Sequence, residues 1–233
     1  MNKKQAGSVN SGKKTEVTFP VVGIGASAGG IEAMTELLKN LSPVTGMAFV
    51  YIQHLDPTHE SMLTSILGRA TKMKVVEAGH QMEIEPNHLY IIPPNQEMNI
   101  EDGRLLLNQR KERPAIHMPI DQFLVSLAQK KQDSAIGVVL SGNANDGTLG
   151  LKAIKTEGGF TFAQDDSARF KSMPKSAIAE GVVDMVLSPA EIAAELERLC
   201  KQPVFVKAIQ NHNEDEISNK DEDLVGILQL LRK

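Results

Sequence analysis

The chain has 233 residues, a formal net charge of −4 and a sequence pI of about 5.9. Its 41% hydrophobic and 23% charged content is ordinary for a globular protein, which can build its core without metals or disulfides. An acidic balance and only 4% aromatic residues, without tryptophan, supply neither a basic field nor stacking platforms. These values argue against nucleic acid as a partner.

Compartment and membrane association follow from three features. Cys200 is the single cysteine, so no intrachain disulfide can form, which fits a reducing compartment. The N-terminus carries no apolar run of the signal-peptide type, and no apolar stretch approaches the roughly 20 residues that span a bilayer. We therefore expect a cytoplasmic protein with no membrane insertion, in which residues 1–18 form a disordered polar tail rich in Lys, Ser and Gly.

Short apolar segments alternate with amphipathic ones along most of the chain. Buried strands are predicted at 21–25, 47–52, 75–76, 136–140, 160–163 and 184–187. Helices are predicted at about 31–41, 58–69, 119–131, 147–156 and 175–180, with a last one opened by the N-cap Ser188 and Pro189. This alternation predicts an α/β fold: a doubly wound, mostly parallel sheet with helices on both faces.

The middle of the chain lacks the alternation of strands and helices. Short apolar segments at 89–92, 97–100 and 105–107 are separated by Pro-Pro-Asn and by Asp102-Gly103. An Asp-Gly pair between apolar segments is a strong hairpin signal. We expect a small antiparallel β-hairpin insert here.

Three residues that can carry chemistry follow three of the predicted strands. Ser27 lies in a loop of small residues after the first strand, His54 follows the second, and Asp146 follows the strand that ends at Leu140. In a parallel sheet, ligands bind beyond the carboxyl ends of the strands. A serine becomes a nucleophile when an imidazole takes its proton, and a carboxylate then orients the imidazole. Neighbouring strands would therefore assemble a catalytic triad.

Each residue also has a simpler interpretation. Ser27 could cap the following helix, His54 could be an ordinary loop residue, and Asp146 could start a turn or cap the next helix. Taken one at a time, these interpretations are the more common ones. Because all three lie at strand ends, the triad and these separate interpretations are about equally supported.

The main competing site is a nucleotide site. The run from Gly23 to Gly29 contains Gly-x-Gly in a strand–turn–helix context, but Gly29 comes one residue late for a dinucleotide fingerprint. The second strand ends in Gln53-His54, where a ribose-binding acid would stand. The histidines lack metal-ligand spacing, so we expect neither a metal nor a cofactor.

Several segments together resemble the catalytic domain of the chemotaxis protein-glutamate methylesterases (CheB). They are Gly25-Ala26-Ser27-Ala28-Gly29-Gly30, Gln53-His54-Leu55, Ile91-Ile92-Pro93-Pro94, 140–147 and 172–177. The resemblance covers about residues 19–199. It implies a mostly parallel sheet with an antiparallel hairpin, and hydrolysis of glutamyl methyl esters on chemoreceptors, with deamidation of receptor glutamines as a second activity.

The resemblance also implies roles for individual residues. Ser27 would be the nucleophile, His54 the general acid and base, and Asp146 the orienting carboxylate. The backbone N–H groups of Ala28 and Asn143 would form the oxyanion hole, although the family usually has Thr and Met at these two positions. In addition, the resemblance implies that Met173 and Pro174 bind substrate.

The domain organisation is expected to differ from that of stand-alone family members, which carry a receiver domain before the esterase domain. Residues 19–200 would form the methylesterase-like domain. Residues 201–233 would be a linker and the start of a methyltransferase-like domain, as in hybrid signalling proteins. The expected partner is a methylated chemoreceptor or sensory domain. A nucleotide-binding module and a catalytically silent regulatory domain are the alternative functions.

Overall fold

A computed structural model describes residues 19–54, 62–110 and 117–201. Its strands are β1 (Val21–Ala26), β2 (Ala48–Gln53), β3 (Lys74–Glu77), β4 (Met82–Glu83), β5 (His88–Ile91), β6 (Gln96–Glu101), β7 (Arg104–Gln109), β8 (Ala135–Val139), β9 (Phe160–Gln164) and β10 (Met185–Leu187). Its helices are α1 (Gly30–Asn40), α2 (Leu63–Gly68), α3 (Pro119–Lys131), α4 (Thr148–Thr156), α5 (Ser172–Ala179) and α6 (Pro189–Cys200). The chain thus alternates between strand and helix on both sides of a strand-rich middle.

Seven strands form one parallel sheet in the order β10-β9-β8-β1-β2-β5-β3. The first strand lies near the centre, between β8 and β2. The predicted α/β class and doubly wound parallel sheet are confirmed. The strand order reverses around β1, which places the carboxyl ends of β8, β1 and β2 side by side.

Both faces of this sheet are buried, which explains the nearly continuous apolar strands. Along β1, Val22 and Ile24 point into a core formed with α1, α2 and α6, whereas Val21 points into a second core formed with α3, α4 and α5. All three side chains have no exposed surface. The strand therefore lacks the polar alternation of a one-sided sheet.

The antiparallel insert is a separate sheet in the order β4-β7-β6. The predicted hairpin turn lies between β6 and β7, where Asp102 (φ 47°) and Gly103 (φ 73°) occupy the left-handed region that a two-residue type I′ turn requires. Met98 and Ile100 of β6 are buried against the α3 side of the main sheet.

One expectation for the middle of the chain is wrong. Residues 89–92 were expected in the insert, but β5 lies in the main sheet and pairs parallel with β2 and β3. Leu89 contacts one core and Tyr90 the other, so the segment is buried on both faces as a central strand is. Its flanking prolines mark the exit from the main sheet.

Helix boundaries differ from prediction where prolines lie near them. The α5 helix begins three residues before the predicted start. Pro174 fits in its first turn because the residues there do not donate an intrahelical hydrogen bond, so the missing N–H of proline costs nothing. The predicted cap of α6 is confirmed: Ser188 Oγ accepts from Glu191 N, and the Glu191 carboxylate accepts from Ser188 N at 2.9 Å. Of the helix predicted at 58–69, residues 58–61 lie outside the described ranges.

Other predictions also fall outside the described ranges. They concern the polar tail over residues 1–18 and the linker with a following domain, beyond Lys201. Among the helices described, none is long and apolar enough to cross a membrane.

Candidate active site

The three predicted site residues meet at the carboxyl edge of the parallel sheet. Ser27 directly follows β1, His54 directly follows β2, and Asp146 lies in the loop between β8 and α4. His54 Nδ1 lies 3.2 Å from Ser27 Oγ, and His54 Nε2 lies 2.8 Å from Asp146 Oδ2. The side chains therefore form a continuous hydrogen-bonded chain in which the imidazole joins the hydroxyl to the carboxylate.

The turn that carries Ser27 is held by backbone bonds to the neighbouring loop. Ser27 N donates to Ser141 O, and Gly30 N donates to Ser27 O, both at 3.0 Å. The N-cap of α1 is Gly29 (φ 72°), and no side chain caps this helix. The interpretation of Ser27 as a helix cap is therefore not supported, and its hydroxyl is left to face His54.

Two residues of the loop after β8 that were not singled out from the sequence support this turn. The Ser141 hydroxyl donates to Ala28 O at 2.8 Å and accepts from Phe170 N at 3.0 Å. A Cβ on Gly142 would lie 2.1 Å from Met173 Sδ and 3.0 Å from Ser27 Cβ. Only a residue without a side chain lets this loop pass so close to the serine.

The Asp146 carboxylate is completely buried and is bonded on both oxygens. Oδ2 accepts from Ile120 N at 3.0 Å as well as facing His54, and Oδ1 accepts from Asp121 N at 2.8 Å. These donors are the free amides of the first turn of α3. Asp146 is thus a helix cap, but of α3; the N-cap position of α4, the next helix along the chain, is Gly147, which has no side chain to form a cap bond.

The predicted oxyanion donors lie beside the serine. Ala28 follows it directly, and Asn143 follows Gly142, the residue that approaches Ser27 Cβ. Within the described ranges, neither backbone N–H donates to a protein acceptor. Both groups are available to a ligand, and their oxyanion role stays a prediction.

The predicted substrate-binding pair lies at the start of α5, beneath the Ser27 loop. Met173 has no exposed surface and packs against Gly142, and Pro174 is also buried. The structure thus gives Met173 a packing contact under the loop. Contact of either residue with substrate stays a prediction.

A mostly polar cleft of about 240 Å³ opens beside His54. Its lining residues are Gln53, His54, Ile92, Pro93, Asn95, Gln96, Arg110, His117 and Pro119. The buried Tyr51 hydroxyl donates to Gln53 Oε1 at 2.6 Å, and burial raises the pKa of Tyr51, which keeps this donor neutral. Since Oε1 is occupied, the amide group of Gln53 offers its N–H donors to other partners.

Two basic side chains, Arg110 and His117, also line the cleft. Burial, and then the charge of Arg110, lowers the pKa of His117. His117 Nδ1 lies 3.9 Å from the Glu97 carboxylate, whereas no carboxylate in the described ranges lies within ion-pair distance of Arg110. The cleft therefore offers hydrogen-bond donors and a positive charge next to the imidazole.

The ends of β1 and β2 also bear on the nucleotide alternative. Gly23 and Gly25 of the Gly-x-Gly lie inside β1, and Ala26 at the end of that strand pairs with Gln53 in the parallel register. There His54 is bonded to Ser27 and Asp146, in the place of the acid that would hold a ribose. Within the ranges described, no cluster of three His, Cys, Asp or Glu side chains could hold a metal ion.

Comparison with known proteins places the chain in a family. The CheB methylesterase profile matches residues 22–196. A putative protein-glutamate methylesterase/protein-glutamine glutaminase of Leptospira interrogans is 35% identical over 185 residues, which cover 78% of this chain and 96% of that protein. An uncharacterized 104.1 kDa protein of Rhodobacter capsulatus is 43% identical over 126 residues, 54% of this chain and 13% of that protein.

Solved structures agree with these sequence matches. The crystal structure of the Thermotoga maritima CheB methylesterase catalytic domain superposes with a TM-score of 0.72 and 29% identity, covering 78% of this chain and all of that one. The profile match spans Ser27, His54 and Asp146. The chain belongs to the CheB methylesterase family.

Proposed function

We propose that this chain hydrolyses methyl esters on glutamyl side chains of methylated chemoreceptors or related sensory domains, with Ser27 as its nucleophile. The observation that carries the proposal is the hydrogen-bonded chain from Ser27 through His54 to Asp146 at the sheet edge. Membership of a carboxylic ester hydrolase family supplies the reaction class. The process it serves is adaptation in chemotaxis-type signalling.

The geometry supports one proton route. With the ring proton on Nε2, His54 donates to Asp146, and Nδ1 is free to accept the Ser27 hydroxyl proton. Ser27 Oγ then bonds to the ester carbon as its proton moves to Nδ1. In the serine-protease template the two ring nitrogens have the opposite roles, and the chemistry is the same because both orders link a base to a carboxylate.

The remaining steps need two amide donors and one water. The negative oxygen of the tetrahedral intermediate would accept from the N–H groups of Ala28 and Asn143. Collapse breaks the bond to the methoxy oxygen, which takes the proton from His54 and leaves as methanol. Water, deprotonated by His54, then attacks the acyl-serine, and glutamate leaves as Ser27 is regenerated. A glutamine side chain would follow the same route with ammonia as the leaving group.

The cleft beside His54 is the proposed site for the substrate segment that carries the ester. Gln53 offers N–H donors and Arg110 a positive charge, which suit backbone carbonyls and carboxylates of a glutamate-rich segment. Met173 and Pro174 would shape the opposite side of the serine loop. No cofactor is needed for any of these steps.

A serine-directed phosphonate tests the nucleophile directly. Incubation of the protein with a fluorophosphonate, followed by peptide mass spectrometry, is expected to show one adduct on Ser27. Ser27→Ala and His54→Ala should both remain unlabelled, while their circular dichroism matches that of the original chain. A folded protein without an adduct would refute the enzyme proposal in favour of a silent regulatory domain, and calorimetric binding of NAD or ATP would favour a nucleotide site.

We also infer a fused arrangement in the native polypeptide, with residues 201–233 leading into a methyltransferase-like domain. A longer Rhodobacter capsulatus relative, of which the matching region forms 13%, supports a larger polypeptide. The methyltransferase part rests on the resemblance to hybrid signalling proteins. The sequenced gene tests this: an open reading frame that stops at Lys233 would contradict it. The proposed location is the cytoplasm, which agrees with the single unpaired Cys200.

A further inference from the structure

Asp146 of the triad and the neighbouring Asp121 cap each other's helices: Asp146 caps α3, which contains Asp121, and Asp121 caps α4, which follows Asp146. Asp146, just before α4, accepts from Ile120 N and Asp121 N in the first turn of α3. Asp121, in that turn, accepts on Oδ1 from Gly147 N at 2.9 Å and Gly150 N at 2.8 Å, at the start of α4. Asp146 has no exposed surface and Asp121 is 8% exposed. The exchange is therefore reciprocal and almost free of solvent.

Neither helix has a cap of its own. The N-caps of α3 and α4 are Met118 and Gly147, and neither supplies a side-chain cap bond. The first amides of a helix have no intrahelical acceptor and must be satisfied from outside. The first amides of α3 therefore donate to Asp146, just before α4, and those of α4 donate to Asp121 in α3.

Close packing makes the exchange possible. A Cβ on Gly150 would lie 2.4 Å from Leu124 Cβ, and one on Gly147, at φ 98°, would lie 3.1 Å from Ile120 Cγ2; both partners belong to α3. The two helix starts thus approach closely enough for short carboxylates to reach across. Any shift of α4 away from Asp121 moves Gly147, and with it the adjoining Asp146.

We infer that Asp121 is a positioning residue for the triad: its Oδ1 holds the start of α4 so that Asp146 stays within hydrogen-bond distance of His54. The inference rests on the proposed function for its kinetic consequence. Its structural consequence, the dependence of the Asp146 bonds on Asp121, is independent of any reaction. Both can be measured.

Three variants of Asp121 separate acceptor position from charge. Gly147 N and Gly150 N both donate to Oδ1, so Asp121→Asn with its amide oxygen in that place keeps this acceptor and removes the charge. Asp121→Glu keeps the charge and displaces the oxygens by one methylene, and Asp121→Ala removes the acceptor. We expect kcat for a methyl-esterified receptor peptide to fall about 10- to 100-fold in the Ala variant with KM nearly unchanged, because misplacement of a catalytic group weakens the chemical step.

The order of the conservative variants decides between geometry and charge. Asp121→Asn should retain kcat within about threefold and exceed Asp121→Glu. The reverse order would show that charge, and not the position of Oδ1, is what matters, and would overturn the inference. This comparison stands even where Asp121→Ala fails to fold.

Ser188→Ala is the matched control, since it removes the cap of α6 at a distance from the triad. It should lower the melting temperature and leave kcat unchanged. If Asp121→Ala loses kcat only in proportion to its unfolded fraction, or if Ser188→Ala loses as much, the inference is wrong.

Amide hydrogen exchange gives a readout that needs no activity. In Asp121→Ala, the Ile120 amide, which is bonded to the unchanged Asp146, should exchange faster, whereas Asp121→Asn and Ser188→Ala should leave it protected. Faster exchange at Gly147 and Gly150 alone would reduce Asp121 to a local cap. An inactive wild-type chain without a Ser27 adduct would refute the proposed function, while the exchange result would still decide the role of Asp121.

Discussion

Both carboxylate oxygens of Asp146 accept hydrogen bonds from backbone amides, whereas among the described residues the side chains of Ser27 and His54 are bonded only within the triad. Two backbone amides and one imidazole nitrogen surround the Asp146 carboxylate, and no part of it reaches solvent. His54, by contrast, has a side chain that is 29% exposed. The carboxylate can therefore fix the ring while the ring itself remains accessible to substrate and water.

The three triad residues should not contribute equally to the reaction. Ser27→Ala and His54→Ala remove the nucleophile and the base, and each should lower kcat by about a millionfold, as in the serine-protease template. Asp146→Asn keeps part of the hydrogen bonding and should lose about 10,000-fold. Steady-state methanol release from a methylated receptor peptide measures kcat for all three variants, with circular dichroism as the control for folding. Equal loss in all three, accompanied by unfolding, would count against these roles.

Asp121 should also make stability depend on pH. Burial, opposed by amide bonds and reinforced by the nearby Asp146, raises the pKa of Asp121 above its usual value of 3.8. As pH rises through the window between 3.8 and the raised value, the unfolded chain ionises first, so this group lowers the free energy of unfolding. We therefore expect Asp121→Asn to gain stability relative to the original chain across that window and to keep a constant advantage above it.

Urea denaturation at a series of pH values from 3 to 7 would measure this difference. Other titrating groups are common to both proteins and cancel in the comparison. A difference that stays flat with pH, or shrinks as pH rises, would contradict the raised pKa of Asp121.

At the scale of elements, the site depends on the register of three neighbouring strands. Gly25 of β1 pairs with Ile52 of β2 and Val139 of β8, so the three following loops start at the same height. The loops are then joined by Ser27 N to Ser141 O and His54 N to Ala26 O. The hydrogen-bonded ladder of the sheet thus determines the distance between nucleophile and base.

Gly142→Ala tests how closely the loop after β8 must approach Ser27. The added methyl would lie 2.1 Å from Met173 Sδ and 3.0 Å from Ser27 Cβ, so one of these side chains must move. We expect kcat to fall about 10- to 100-fold, because small displacements of reacting groups weaken catalysis strongly. Gly68→Ala is the control, as its methyl would meet only Val75 Cβ at 4.0 Å. Equal kcat in the two variants would show that the loop has room.

At the scale of the whole molecule, two apolar cores lie on opposite faces of one sheet. One includes Phe49 and Leu196, and the other includes Phe123 and Ile154, each without exposed surface. The family profile match over residues 22–196 includes most of the described residues of both cores. That range contains the triad as well.

A chain trimmed to residues 19–201 should therefore fold and work by itself. We expect its melting temperature to lie within about 2 °C of that of the 233-residue chain, since a loss of 1 kcal/mol would move it by about 2–4 °C in a domain of this size. Esterase activity should be equal per molecule. A large drop in melting temperature would show that residues beyond this range complete the core, and would contradict the predicted domain boundaries.

Much of the secondary structure could be predicted from local sequence patterns, because strands, turns and caps depend mainly on residues that are close in the chain. The apolar run of β1, the Asp102-Gly103 turn and the Ser188 cap are each determined within a few residues. Residues 89–92 were assigned to the wrong sheet for the same reason. Whether a short apolar strand pairs with its neighbours in sequence or with a distant strand depends on what covers its two faces.

The α/β class, the family resemblance and the three residues at three strand ends could all be predicted from the sequence. The tertiary structure decided which groups complete the site. Ser141 and Gly142 were recognised only as part of the segment 140–147, without a role of their own. Asp121 was not identified from the sequence, because a carboxylate before or within a helix ordinarily suggests a cap for that same helix. Here close packing of α3 and α4 lets the first amides of α3 donate to Asp146 and those of α4 donate to Asp121. Such an exchange depends on the distance between two helix starts, which only the folded chain defines.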